Sequence, residues 1–104
     1  MTFNLSKLSG EWIGHYRASF DQVVKFTICS DNILTATKIT GDEHVPGGEI
    51  TFIVDLETMI GKGRVSEKEF RNPCWIPVQL FIESEERVSA VFQDMGRVDF
   101  RKDD

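Results

Sequence analysis

Apolar and polar positions alternate along most of this chain with a period of two, the signature of half-buried strands. Trp12, Gly14, Tyr16 and Ala18 alternate with Ile13, His15 and Arg17. After a turn at Phe20-Asp21-Gln22, Val24, Phe26 and Ile28 alternate with Lys25, Thr27 and Cys29. Residues 33–40 are rich in β-branched side chains. In 49–55, Ile50, Phe52 and Val54 alternate with Thr51, Ile53 and Asp55. From Trp75 the same pattern carries Ile76, Val78, Leu80 and Ile82 on one face, then Val88, Ala90 and Phe92, then Val98 and Phe100. Helical periodicity is almost absent.

Turn chemistry punctuates these runs. Ser30-Asp31-Asn32, Ser84-Glu85-Glu86 and Asp94-Met95-Gly96 separate neighbouring strands, and Asp and Asn tolerate the left-handed backbone that tight turns require. Residues 56–75 are harder to read. Gly61-Lys62-Gly63 reads as loop, residues 64–70 as a strand or an irregular edge, and Asn72-Pro73 as a turn that suits no central strand. Seven or eight short strands joined by short turns imply an all-β fold, an antiparallel up-and-down meander. Such a meander removes its open edges by closing into a small lipocalin-like barrel. A barrel of this size holds either its own side chains or one small ligand. The large inward set (Trp12, Tyr16, Phe26, Phe52 and Phe92) implies a mostly filled interior.

The chain has 104 residues, a size that suits one domain over 1–104 with a single core. Eight Phe against one Tyr and two Trp mark the aromatics as mainly core filling. A net charge of −5 and the lack of a Lys/Arg cluster argue against nucleic-acid binding. The first eight residues lack the apolar stretch of a signal peptide, and no apolar run reaches a membrane span, so the expectation is a cytoplasmic protein without a membrane partner. Cys29 and Cys74 are too few for a disulfide scaffold and read as free thiols, with a Cys29–Cys74 bridge or a redox role as the alternative.

The loop over 40–48 stands out, because hairpin loops usually run about 2–5 residues and this one also carries Pro46, Gly47 and Gly48. Irregular loops on a β scaffold are where recognition concentrates. Asp42 reads either as a brace for nearby backbone N–H groups or as an acceptor at a pocket rim. Lys38 and Thr40 lead into the loop. If odd residues face inward, Thr35 and Thr37 are buried hydroxyls; if even residues do, Lys38 is the anomaly, and otherwise it reads as a snorkelling surface lysine. Trp75, between Pro73 and Pro77, reads as core or as a lid over a barrel mouth. His15 and His44 lie on different elements, with no metal-ligand spacing and no nucleophile elbow, P-loop or His-Glu-x-x-His. No catalytic residue, metal or cofactor is therefore expected. The candidate ligand-binding set is Tyr16, Lys38, Thr40, Asp42 and Trp75.

The segments TKITGD and VPGGEITF, within residues 36–55, resemble the D-type cyclin-binding domain, the β-barrel module of certain F-box substrate receptors. Similar segments occur in plant F-box proteins and chloroplast Executer proteins. Trp12, Gly14 and Tyr16 match the opening of that family, Thr37, Lys38 and Thr40 its strand, and Asp42, Val45, Pro46 and Gly48 its loop. The resemblance implies a substrate-recognising barrel that captures protein partners, including chain termini. F-box helices are lacking, so the expected role is a free-standing binding module for a peptide or protein terminus or a small molecule. The alternatives are a carrier of an apolar ligand or, further off, a small enzyme. Gly10-Glu11-Trp12 is also similar to the opening of lipocalins and avidins, where a late arginine stacks on the indole. That likeness assigns Arg97 or Arg101 to the Trp12 ring.

Overall fold

The computed structural model describes residues 5–15, 21–29, 32–40, 47–64, 75–94 and 96–103. A short 3-10 helix, Leu5–Leu8, precedes eight strands: β1 (Gly10–His15), β2 (Gln22–Ile28), β3 (Ile33–Lys38), β4 (Ile50–Asp55), β5 (Ile60–Arg64), β6 (Trp75–Ile82), β7 (Arg87–Phe92) and β8 (Gly96–Lys102). Each strand pairs antiparallel with the next, and β8 returns to β1 through Trp12↔Lys102, Gly14↔Phe100 and their neighbours. The sheet is a closed up-and-down barrel, so none of its strands presents an open edge.

Even-numbered residues of β1, β2, β3, β6, β7 and β8 face inward, as the alternating burial of each strand shows. Their rings fill the axis. Trp12 stacks on Phe26 at 5.1 Å between centroids, and Phe26 meets Phe52 and Phe100 at 5.8 and 5.3 Å. Phe52 continues the chain of contacts to Phe92 at 6.0 Å. Edge-on and offset contacts at these separations are the favourable aromatic geometries. Phe26, Phe52, Leu80 and Phe92 are all buried.

Two sequence expectations need correction. Gly61 and Gly63 are not loop but the inward residues of β5, paired with Val54 and Phe52. Glycine is required there by close approach. A Cβ on Gly63 would lie 2.3 Å from the Phe92 ring, and one on Gly61 1.8 Å from the Ile53 carbonyl oxygen. The second concerns the cation on Trp12. Arg97 and Arg101 are odd-numbered and point outward, whereas Lys102 shares the inward face of Phe100. Lys102 Nζ sits 5.1 Å from the centre of the Trp12 ring and donates to the carbonyls of Lys7 and Ser9 at 3.0 and 2.7 Å. Trp12 Nε1 donates to the Leu8 carbonyl at 2.8 Å. The indole, the ammonium and the 3-10 helix together close one end of the barrel.

The turns behave as their residues dictate. Asn32 and Asp94 take the left-handed backbone, φ 60° in both. Between β4 and β5, the Asp55 carboxylate accepts the Glu57 N–H at 2.8 Å and its carbonyl accepts the Met59 N–H at 2.7 Å, so this tight turn is built from Asp55 rather than from glycine.

Candidate functional site

An up-and-down barrel has two ends, and this one treats them differently. The short turns 56–59 and 83–86, and the junction of β2 with β3, lie at the end closed by the 3-10 helix. At the other end β1 finishes and β2 begins, β3 finishes and β4 begins, β5 finishes and β6 begins. The longer connections, 16–21, 39–49 and 65–74, all leave from and return to that end.

Lys38 is the last residue of β3 and its side chain enters the barrel there, almost wholly buried. The surface-lysine expectation is corrected: Leu34, Ala36 and Lys38 share the inward face, and Thr35 and Thr37 lie on the other. Burying an ammonium is costly unless its protons are satisfied. Lys38 Nζ donates to Gln22 Oε1 at 2.5 Å, and Gln22 is itself fully buried at the first position of β2. Each side chain has further interactions beyond this bond. Gln22 was missed in the sequence because it sits in a run that reads as a turn. Its even parity with Val24 and Phe26 was the available signal.

Thr40 is half-buried just past β3, and its N–H donates to the Val23 carbonyl at 3.1 Å, which holds the chain against β2 as it enters the 41–46 segment. The pairing of β3 with β4 passes from Ala36↔Phe52 to Thr37↔Ile50, so Thr51 is a bulge residue. Beyond it, Lys38 donates its N–H to the Glu49 carbonyl at 2.9 Å and accepts the Gly48 N–H at 2.7 Å. Gly48 has φ +89° and open space around it. Both stems of the loop are thus hydrogen-bonded. Glu49 reaches Arg64 Nη1 at 3.4 Å, tying this stem to the end of β5.

Trp75 begins β6 at the same end, but on the outer face and 39 % exposed, with Lys62 Nζ 5.5 Å from its ring centre. It is therefore not core, as its odd parity with Pro77 and Gln79 explains. The structure brings Lys38 and Thr40 to one mouth, with Lys38 inside, and sets Trp75 on the outside wall of that end. Tyr16 and Asp42 lie outside the described residues, as do His44 and Cys74. Cys29 is a free, exposed thiol. Among the described residues, no group of three His, Cys, Asp or Glu is arranged to hold a metal ion, and no helix is long and apolar enough to cross a membrane.

Chemically, this end offers a fixed ammonium and amide inside the wall, a hydroxyl at the rim and an exposed indole outside. Compared with known families, residues 4–100 match the Cyclin D1 binding domain. No curated protein matches the chain.

Proposed function

This chain belongs to the Cyclin D1 binding domain family, and we propose that its barrel captures a protein partner at the end that gathers the three longer connections. A closed barrel and this family membership fit a protein-binding module. The finer reading is that the mouth around Lys38, Thr40 and Asp42, with Tyr16 and the outer Trp75 beside it, recognises a peptide or protein terminus. One observation carries it: a buried lysine–glutamine pair sits at the inner edge of the end with long connections, while the opposite end is sealed by Trp12, Lys102 and the 3-10 helix. Anchored stems support the same reading, because a loop held before its ligand arrives loses less freedom on binding. An apolar carrier is disfavoured by the aromatic rings along the axis.

The test uses paired peptides that end in a free carboxylate or in a carboxamide, titrated against the parent chain and Asp42→Asn. Trp12 is buried and Trp75 is half out, so a change in indole emission on binding reports chiefly on Trp75. Binding weakened about tenfold by Asp42→Asn at unchanged melting temperature places the carboxylate at the site. Lowered stability with no binding to either protein leaves Asp42 a loop brace and removes the proposal.

A further inference from the structure

The outer wall formed by β1, β8 and β7 carries a cavity of about 250 Å³ that the peptide-terminus reading does not use. Its floor is Ser89, which faces outward between buried neighbours and is nevertheless covered, at 1 % exposure. The cover is Arg97. Its Nε donates to Asp99 at 2.8 Å and its Nη2 to Ser89 Oγ at 2.9 Å and Glu83 at 3.0 Å, while Ser89 Oγ donates to Asp99 at 2.8 Å. This guanidinium is engaged by two carboxylates and the Ser89 hydroxyl.

The other two cationic side chains of the cavity are placed differently. Arg87 on β7 and Arg101 on β8 are direct cross-strand partners and both line the cavity. Like charges directly opposite one another on a sheet destabilise it. Arg101 donates to Asp21 at 3.4 Å, and Asp21 also accepts from His15 Nδ1 at 2.8 Å. Among the described residues, the Arg87 guanidinium has no hydrogen-bonded or ion-pair partner. Two forked donors on paired positions of one cavity, one of them without an acceptor among the described residues, supply the donor type that binds an oxyanion bidentately.

We propose that Arg87 and Arg101 form an oxyanion-binding subsite on this wall, suited to a phosphoryl group that is free in solution or carried on a phosphorylated side chain. Arg97, Asp99, Glu83 and Ser89 form its rigid border. The acids there disfavour an anion in general, so the subsite admits one only where it reaches both the Arg87 and the Arg101 guanidinium groups.

The experiment titrates inorganic phosphate into the whole chain at constant ionic strength, with chloride as reference, and follows the side-chain Nε–H signals of Arg87 and Arg101 by NMR. Saturable shifts at both are expected. Arg87→Gln should weaken them at least about tenfold with the melting temperature unchanged or raised, and Lys25→Gln on β2 should leave them intact. A phosphoserine peptide and its serine counterpart then separate the sources. Tighter binding of the phosphopeptide than of phosphate assigns a modified polypeptide, and equal binding assigns the free anion. Shifts that do not saturate, or that persist equally in Arg87→Gln, overturn the subsite.

Discussion

At the scale of single residues, this barrel relies on two inward lysines at its opposite ends, and each is held by a different chemistry. Lys102 caps the Trp12 ring and two carbonyls at the sealed end, and Lys38 meets Gln22 at the other. Lys102→Ala should cost about 1–3 kcal/mol, the sum of a partly desolvated cation–π contact and hydrogen bonds from a charged donor, read as a lower midpoint in urea unfolding. Asp99 offers a titration test. Its carboxyl is held below the ordinary carboxylate range, first by the Ser89 hydroxyl and then by Arg97, against a smaller opposing effect of burial. A depressed value means that the folded state holds this proton less tightly than the unfolded chain. The stabilisation is present above the ordinary carboxylate pKa and is lost as pH falls through the depressed one. Ser89→Ala should move the Asp99 titration upward toward the ordinary range, measurable by NMR of its side-chain carboxyl carbon. An unmoved titration would show that the hydroxyl bond is not the cause.

Among the elements, β5 is the one whose sequence and structure disagree most on the surface. Gly-Lys-Gly has low strand propensity, yet it lies between β4 and β6. The reason is spatial: Gly63 faces the Phe92 ring and the Val78 side chain, and Gly61 the Ile53 and Val54 backbone, which leave no room for a methyl group. Gly63→Ala should therefore destabilise the protein by about 1–3 kcal/mol through overpacking, and thermal melts of this variant against Lys62→Ala, on the outer face of the same strand, check it. The bulge at Thr51 is a second local device. It adds a residue to β4 just where the loop stem begins, bending the strand before Glu49 and Gly48 clasp Lys38.

At the scale of the whole molecule, the aromatic rings make one connected core rather than a set of separate contacts. Phe26 touches Trp12, Phe52 and Phe100, so strands β1, β2, β4 and β8 meet at one side chain. Phe26→Ala and Phe52→Ala should each cost about 3–5 kcal/mol, with loss of structure at both ends of the barrel in a single transition. The two tryptophans supply the probe. Trp12 should resist acrylamide quenching in the folded state and Trp75 should not, and both should merge on unfolding. Separate transitions for the two would contradict a single core.

Alternation alone determined that this chain makes strands, where most of them run, and that they close into a barrel, because period-two burial is a local property of the backbone and short hairpins leave little choice of neighbour. The family was legible in the 36–55 segment and the Trp12-Gly14-Tyr16 opening, where residue types at fixed spacing carry the likeness. Tertiary structure decided what alternation leaves open. It made even residues inward, which buried Lys38, turned Trp75 to the outer wall and replaced an arginine by Lys102 on the Trp12 ring. It made a strand of Gly61-Lys62-Gly63, since the close approach of the β4 backbone to Gly61, and of Phe92 and Val78 to Gly63, explains glycine there. It also set Arg87 beside Arg101, 14 positions apart in the chain, on one wall. Sequence spacing records which residues share a face of one strand. Which side of the closed sheet is the interior, and which strands become neighbours across it, depends on how the eight faces pack together.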